Sequence, residues 1–283
     1  MPSGDKKKKK KKPGWIVKAY NNYEFLNSPQ ARTIRVLTEL IEPAARFRRY
    51  KVKDTVVFFG SARALPREIA AKKLKAVEDK IRSAGTVSPE LTLDYDHAAR
   101  DFKMSRYYED AVTLSQKLTN WFNKIKATKK HFMICSGGGP GIMEAANKGA
   151  HLSGGVSVGL NISLPLEQWP NEYQTKELAC EFHYFFIRKF WFFYLAKALV
   201  IFPGGYGTFD EFFELLTLMQ TKKTKKIMPV VLYGSEYWNS LINFETMVKW
   251  GMINREDLDL FKMVDDVDSA YKYLKETLTK LYL

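Results

Sequence analysis

Short apolar runs that alternate with helix-patterned segments are the feature that most restricts what this chain can fold into. From Asp54 onward, runs such as Thr-Val-Val-Phe-Phe at residues 55–59 are each followed by a loop and then by a segment with helical spacing. Continuous apolar runs of this length are typical of strands buried on both faces of a parallel sheet, and helices of ten or more residues provide the crossovers. We therefore predict an α/β fold, a Rossmann-like three-layer αβα domain with at least six parallel strands.

The remainder of the chain divides by composition. Residues 1–13 contain seven consecutive lysines, which repel one another and cannot form a core, so we predict a disordered tail. Residues 14–53 are predicted to form a helical extension, with a helix that ends near Pro43. Residues 54–283 form the α/β domain.

The net charge of +14 favours anionic ligands such as nucleotides, nucleic acids or acidic lipids, without choosing among them. The lysines of residues 6–12, offset by Asp5, account for six of these charges, so the rest of the chain is also basic. The tail itself is interpreted as a solubilising arm, with weak attraction to RNA or to a membrane surface as the alternative.

The two cysteines indicate a reducing compartment, and the hydropathy of the chain indicates that no segment spans a membrane. Cys135 and Cys180 both lie in apolar runs that are predicted to be strands, which suggests buried thiols rather than a disulfide framework. No apolar run reaches the roughly 18 residues of a membrane-spanning helix, and no secretory signal is present. We expect a cytoplasmic protein. No His/Cys cluster has metal-ligand spacing, so neither a metal nor a cofactor is expected.

Three loops follow predicted strands directly and are the candidates for ligand binding, since ligands of parallel sheets bind at the carboxyl ends of strands. They are Gly60-Ser61-Ala62-Arg63, the glycine loop at 136–141, and Pro-Gly-Gly-Tyr-Gly-Thr at 203–208. The last two also open helices, where free N–H groups and the helix dipole attract phosphate. Arg63 is either a phosphate ligand or an ordinary surface arginine. Asp210 and Glu211, in the first turn after the third loop, can both interact with the helix dipole.

Two familiar nucleotide-binding patterns are absent. The dinucleotide pattern G-x-G-x-x-G fails because position 142 is Ile, and the strand that follows carries no acidic residue for a ribose hydroxyl. The G-x-x-x-x-G-K-[ST] pattern of ATP- and GTP-hydrolysing enzymes is missing as well.

A longer pattern does match a known family. The motif P-G-G-x-G-T-x-x-E occurs without a gap from Pro203 to Glu211, and Arg188-Lys189 stands at the start of the preceding helix. With the Phe-Gly-Ser-Ala-Arg stretch at 59–63 and the Pro-Gly-Ile-Met-Glu-Ala-Ala-Asn stretch at 140–147, the chain resembles the LOG ("lonely guy") family, and in particular its longer bacterial branch. Members are often labelled as possible lysine decarboxylases. The resemblance covers roughly residues 54–235.

Two departures bear on specificity and on domain boundaries. Phe185 stands where the plant-type proteins have Met, three residues before the Arg of the Arg-Lys pair, so production of cytokinin does not follow from the resemblance. The stretch at 64–104 is much longer than usual and is interpreted as an insertion.

The resemblance implies hydrolysis of the N-glycosidic bond of nucleoside 5′-monophosphates, AMP-like or cytokinin riboside monophosphates, to a free base and ribose 5-phosphate. It implies catalytic roles for Glu211 and Arg188 and a homodimer with sites near the interface. The other residues expected to bind substrate line the loops and the Arg-Lys pair: Gly60, Ser61, Gly138, Gly139, Gly141, Met143, Glu144, Lys189, Gly204, Gly205, Gly207 and Thr208.

Three alternatives remain open. The first is a nucleotide-binding or carrier protein on the same fold, without turnover. The second is lysine decarboxylation, which would use pyridoxal phosphate and a Schiff-base lysine that nothing in the sequence marks. The third, nucleic-acid binding through the tail, is compatible with catalysis.

Overall fold

The computed structural model describes residues 15–84, 86–125, 132–165 and 169–283, so the predicted lysine tail lies outside the described residues. The described residues divide into two compact units, one that ends at Glu42 and one that begins at Pro43. In the first unit, helix α1 (Tyr23–Asn27) begins at Asn22, whose side chain accepts a hydrogen bond from the backbone N–H of Phe25. The Arg35 guanidinium donates to the carbonyls of Leu26 and Ser28, which ties α1 to the helix that follows.

Helix α2 (Arg32–Arg49) passes from the first unit into the second and corrects one prediction. We expected this helix to end near Pro43, but Pro43 lies inside it. A proline costs a helix one hydrogen bond and strains the preceding turn. In the second unit Phe47 packs edge-on against Trp191, with ring centroids 5.2 Å apart, and this burial favours continuing the helix to Arg49.

A seven-stranded sheet, parallel at every pairing, forms the centre of the second unit, as the alternation of apolar runs predicts. The strand order is β4-β3-β2-β1-β5-β6-β7. The seventh strand was not predicted, because it is three residues long and its first residue is exposed. The strands are β1 (Asp54–Phe59), β2 (Phe132–Ser136), β3 (Ser157–Ile162), β4 (Ala179–Phe182), β5 (Ala196–Ile201), β6 (Val230–Tyr233) and β7 (Lys262–Val264).

Helices cover both faces of the sheet, which confirms the predicted three-layer architecture. Val56 and Phe58 of β1 belong to a core shared with α4, α5 and α10, whereas Phe59 packs against Phe192 of α6. The helices are α3 (Arg67–Ser83), α4 (Pro89–Ile125), α5 (Ile142–Leu152), α6 (Phe185–Leu195), α7 (Tyr206–Gln220), α8 (Ser235–Leu241), α9 (Phe244–Lys249) and α10 (Val267–Tyr282). None of the described helices is long and apolar enough to cross a membrane.

The stretch at 64–104 consists of α3 and the first half of α4. The first turns of α4 are mostly exposed and carry no apolar stripe, so the sequence pattern does not mark this part of the helix. Two short helices, α8 and α9, follow β6 in place of one longer helix. The break occurs at Asn243, whose side chain accepts a hydrogen bond from the N–H of Thr246 and so starts a new helix.

The strand order reverses direction between β1 and β5, which puts the loops after these strands side by side. A crevice at such a reversal is where open parallel sheets bind ligands. The glycine loop follows β2, the other neighbour of β1. The fold therefore brings all three predicted loops to one edge of the sheet.

Candidate functional site

The three loops that follow β1, β2 and β5 are joined by backbone hydrogen bonds. Ser61 donates its N–H to the carbonyl of Pro203 at 2.9 Å, and its own carbonyl accepts from the N–H of Ile142 at 3.0 Å. Ser61 thus links the start of α5 to the loop before α7. Its side chain accepts from the N–H of Arg63 at 3.0 Å, while the side chain of Arg63 is exposed.

The start of α7 is an open, uncapped helix terminus. Within the described chain, no side chain caps the helix at Gly205. The first intrahelical hydrogen bond runs from Phe209 to Gly205, which leaves the preceding N–H groups of the first turn free for a ligand. A methyl group added at Gly205 would meet no atom within 4 Å, and one at Gly207 would meet only Glu211 Oε2, at 4.0 Å. The fold itself does not require glycine at these positions.

Gly204, by contrast, is held tightly. A side chain there would lie 2.1 Å from Thr208 Oγ1, and the Gly204 carbonyl accepts a hydrogen bond from the Tyr237 hydroxyl at 2.5 Å. Tyr237 was not among the predicted site residues, since it lies on α8, which has no motif of its own. Together these contacts fix the entry into α7 while leaving Gly205 and Gly207 open.

The glycine loop between β2 and α5 needs glycine for its own conformation. Gly138 and Gly141 have φ of +74° and +70°, and a side chain on Gly141 would approach the Ser61 carbonyl to 2.3 Å. Met143 and Glu144 follow in the first turn of α5. The Glu144 carboxylate accepts a hydrogen bond from the Tyr108 hydroxyl at 2.6 Å, and so interacts with α4.

Glu211 is a buried carboxylate on α7, only 8% exposed. Burial raises the pKa of Glu211 to about 7, and the nearby Arg188 guanidinium acts in the opposite direction. A carboxyl group that titrates near neutrality can exchange protons with a substrate or with water at physiological pH. The Glu211 carboxylate lies beside the open space over Gly207.

Arg188, in the first turn of α6, is equally buried. Its Nε donates to the Leu160 carbonyl at 2.7 Å and its Nη2 to the Gly137 carbonyl at 3.4 Å. A side chain on Gly137 would lie 2.5 Å from this Nη2 and 2.6 Å from Met143 Sδ. The absence of a side chain at Gly137 therefore leaves the room that Arg188 needs to reach the glycine loop. Burial lowers the pKa of Arg188, and the charge of Glu211 opposes that effect.

Lys189, the next residue along α6, pairs with two other carboxylates of α7. Its ammonium pairs with Asp210 at 2.6 Å and with Glu214 at 3.0 Å. Burial opposes protonation, but the hydrogen bonds to these carboxylates raise the pKa of Lys189. Lys189 therefore ties α6 to α7. Asp210, which the sequence assigned to the helix dipole, serves as its partner.

The two cysteines and the acidic residues form neither a disulfide nor a metal site among the described residues. Cys135 and Cys180 are buried and form no disulfide, as the sequence predicts. Among the described residues, no group of three or more His, Cys, Asp or Glu side chains is arranged to hold a metal ion. Asn171 and Gln174, which contact the glycine loop, were missed because the segment around residues 169–175 has no recognisable motif.

Comparison with known proteins gives one family match and several distant structural likenesses. The structure of TM1055 has 17% identity and a TM-score of 0.45, covering 79% of this chain and 99% of the other. The molybdenum cofactor carrier protein from Chlamydomonas reinhardtii has 16% identity and a TM-score of 0.43, covering 80% and 99%. No curated protein matches the chain.

The family match covers the part of the chain that carries most of the site. Residues 143–274 match the model of the family described as "Possible lysine decarboxylase". This range contains Arg188, Lys189 and the whole segment from Pro203 to Glu211. This match, over a little less than half of the chain, agrees with the resemblance to the LOG family that the sequence motifs indicate.

Proposed function

We propose that this protein hydrolyses the N-glycosidic bond of nucleoside 5′-monophosphates, releasing a free base and ribose 5-phosphate. The resemblance to the LOG family supports a nucleotide-related function. The observation that carries the finer proposal is the buried Glu211, whose pKa is about 7 and which lies beside the open Gly207 at the uncapped start of α7. This arrangement combines a phosphate site with a carboxylate one helical turn away.

The 5′-phosphate binds at the start of α7 in this proposal. Free N–H groups of the first turn and the positive end of the helix dipole stabilise the anion. The open space over Gly205 and Gly207 lets phosphate oxygens approach the backbone. The substrate is then anchored with its ribose directed toward Glu211.

Glu211 acts on the ribose and on water. Cleavage of the glycosidic bond develops positive charge at the anomeric carbon, which an ionised carboxylate stabilises. Water then forms the new C–O bond as the C–N bond breaks, and Glu211 accepts the proton that the water loses. The electrons of the broken bond leave with the base, which takes up a proton.

Arg188 contributes a fixed positive charge near both reactants. It stays protonated and cannot act as a base. Because its guanidinium already donates to two backbone carbonyls, its orientation is set before the substrate binds. Its charge keeps part of the Glu211 population ionised and attracts electron density toward the departing base.

The pH dependence of turnover follows from the pKa of Glu211. The ionised form is the active one, so kcat/KM should rise about tenfold per pH unit below pH 7 and level off above it. The substrate phosphate loses its second proton near pH 6, so it makes the pH dependence of kcat/KM steeper only below about pH 6. Initial rates of base release from AMP between pH 5 and 9 test this. A plateau already reached at pH 5 would exclude Glu211 as the titrating group.

Gly207→Ala should separate ligand binding from folding. Alanine is the better helix former by up to about 1 kcal/mol, so the melting temperature should be unchanged or slightly higher. The added methyl group occupies the space beside Glu211 that the substrate would use. We expect KM for AMP to rise at least tenfold, measured by steady-state kinetics.

Gly138→Ala is the matched contrast for this experiment. Its φ of +74° and its contact with Asn161 Oδ1, at 2.2 Å from the added carbon, make the fold itself depend on glycine. This variant should lose stability and activity together. If Gly207→Ala showed a wild-type KM, phosphate binding at the start of α7 would be wrong.

A panel of nucleoside 5′-monophosphates, with chromatographic detection of the free base, tests the proposed function directly. Tight binding of a monophosphate without any release of base would instead establish the alternative of a nucleotide-binding or carrier protein. The buried, titratable Glu211 favours the enzyme, because a carrier has no need of a carboxylate whose charge is destabilised by burial.

Lysine decarboxylation is poorly supported by the site. Schiff-base chemistry requires a lysine that readily loses its proton. Lys189, the lysine of the Arg-Lys motif, is held by Asp210 and Glu214, which raise its pKa. Adding pyridoxal phosphate and lysine to the protein should therefore release no carbon dioxide.

The homodimer that the resemblance implies is proposed to form through α6. Phe186, Phe190 and Tyr194 lie four residues apart on this helix and are 55%, 43% and 55% exposed, forming an aromatic ridge. Contiguous apolar surface of this kind commonly marks a protein interface. Phe190→Glu should convert the dimer to a monomer in light-scattering measurements, whereas Ile69→Glu, on exposed α3, should not. A monomeric wild-type chain would exclude this interface.

A further inference from the structure

The carbonyl of Gly138 receives an unusual number of hydrogen bonds from one short segment. It accepts from the backbone N–H of Asn171 at 2.9 Å, from Asn171 Nδ2 at 2.9 Å and from Gln174 Nε2 at 2.8 Å. Asn171 Nδ2 also donates to the Gly139 carbonyl at 3.0 Å. We call Asn171 and Gln174 the amide clamp. The clamp therefore holds the glycine loop through the carbonyls of Gly138 and Gly139.

The amide clamp is itself fixed by buried neighbours. Asn161 Nδ2 donates to Gln174 Oε1 at 2.9 Å and to the Cys180 carbonyl at 3.1 Å. Asn147 Oδ1 accepts from Asn171 Nδ2 at 3.1 Å. Gln174 is 8% exposed and fills the space over Gly138 and Gly159, where a side chain would approach its Oε1 to 2.7 and 1.6 Å. All of these groups are neutral amides, so pH does not change their hydrogen bonds.

Fixing one carbonyl also fixes the N–H on the other side of the same peptide. In a trans peptide the C=O and the N–H point in opposite directions, and the described chain has no cis peptide. Since the clamp draws Gly138 O toward residues 171–174, the N–H of Gly139 points away from them. Gly139 is buried, yet no described group accepts a hydrogen bond from this N–H. A buried donor without a partner is costly and suggests that a ligand supplies the acceptor.

We propose that Asn171 and Gln174 are positioning residues that orient the Gly138–Gly139 peptide so that the Gly139 N–H donates to an oxygen of the bound nucleotide. The inference rests on the proposed function for the identity of the ligand, but not for the clamp itself. Neither residue touches the reacting atoms. Their effect is therefore on affinity, and the ionisation of Glu211 should be unaffected.

Gln174→Met tests the proposal, because it keeps the volume over Gly138 and Gly159 but removes the donor. We expect a folded protein whose dissociation constant for AMP, measured by calorimetry, increases about tenfold, as for the loss of one well-placed hydrogen bond. The pH midpoint of kcat should stay at the wild-type value. Asn123→Ala is the matched control, since this amide donates to the Ser153 carbonyl, at 3.2 Å, away from the glycine loop. It should bind AMP as the wild type does.

Gln174→Glu adds a test by rescue. The ionised carboxylate cannot donate to Gly138 O and should repel it, whereas the protonated acid can donate again. The AMP affinity of this variant relative to wild type, compared at the same pH, should recover as the pH falls from 8 to 5. The proposal would be overturned if Gln174→Met bound AMP as tightly as the wild type does. It would also be overturned if the ratio of the AMP affinities of Gln174→Glu and wild type did not change with pH.

Amide hydrogen exchange separates this inference from the proposed function. The Asn171 N–H is protected only while Gly138 O accepts from it, so its exchange in the ligand-free protein should accelerate at least tenfold in Gln174→Met. Unchanged exchange would show that the clamp does not hold the peptide, whatever the enzyme's substrate. The wild-type protein could fail to bind any monophosphate while exchange is still accelerated in Gln174→Met. That result would contradict the proposed function but would support the role of the clamp.

Discussion

Replacing Glu211 with glutamine is expected to reduce kcat for AMP by about a thousandfold or more while leaving AMP binding largely intact. The amide keeps the shape of the side chain but can neither accept the proton of the attacking water nor stabilise the cationic ribose. Proton transfer and charge stabilisation each typically contribute roughly a hundredfold or more to enzymatic rates. The proposed phosphate site at Gly204 to Thr208 is untouched, so the substrate should still bind.

The same substitution should stabilise the folded chain at high pH. The pKa of Glu211 is raised in the folded state, to about 7 from an ordinary 4.5, because burial disfavours the charged form. Between these two pH values the native state therefore holds a proton that the unfolded state has released, and the wild type loses stability as the pH rises through this window. The shift corresponds to about 3 kcal/mol, which Glu211→Gln should recover above pH 7 and not below pH 4.5.

Base release, calorimetric binding and denaturant unfolding at pH 4.5 and 8 measure the three effects of Glu211→Gln. Glu276→Gln, which removes an exposed carboxylate from α10, is the control and should change none of them. Wild-type turnover in the Glu211 variant would refute the mechanism. An equal gain in stability at both pH values would refute the assigned pKa shift.

Arg188→Met is expected to lower kcat by about a hundredfold to a thousandfold and to move the pH profile upward. The guanidinium charge opposes the effect of burial on Glu211, so without it the pKa of Glu211 should rise further above 7. The carbonyls of Leu160 and Gly137 also lose their donor. A buried carbonyl left without a donor typically costs about 1–3 kcal/mol, and the loss of the nearby positive charge should matter most where Glu211 ionises.

Arg188→Lys separates the charge of Arg188 from its geometry. Lysine keeps the positive charge, so the pH midpoint should remain nearer to the wild-type value than in Arg188→Met. A single ammonium group cannot reproduce the planar fork that reaches both carbonyls, so part of the loss in kcat should remain. Activity profiles over pH 5–10 for the three proteins provide the measurement. The same midpoint in all three would show that Arg188 does not control the ionisation of Glu211.

Local patterns predicted much of this protein because they depend on few residues. The apolar runs predicted the parallel sheet, and the glycine loops at 136–141 and 203–208 lie together at the edge of the sheet where they were expected. Helix ends and short strands were less predictable. Strand β7 is too short to show a pattern, and α2 continues through Pro43 to place Phe47 against Trp191.

By itself the sequence determined the sheet and the two glycine-rich turns, because the spacing of apolar residues and glycines acts over a few neighbouring positions. It also placed Glu211 in the first turns of a helix that follows such a loop. Only the tertiary structure decided the environment of that carboxylate. Burial raises its pKa, and Arg188 comes near it from another helix. The amide clamp on Gly138 likewise joins residues more than thirty positions apart, and such pairings arise from packing rather than from local pattern.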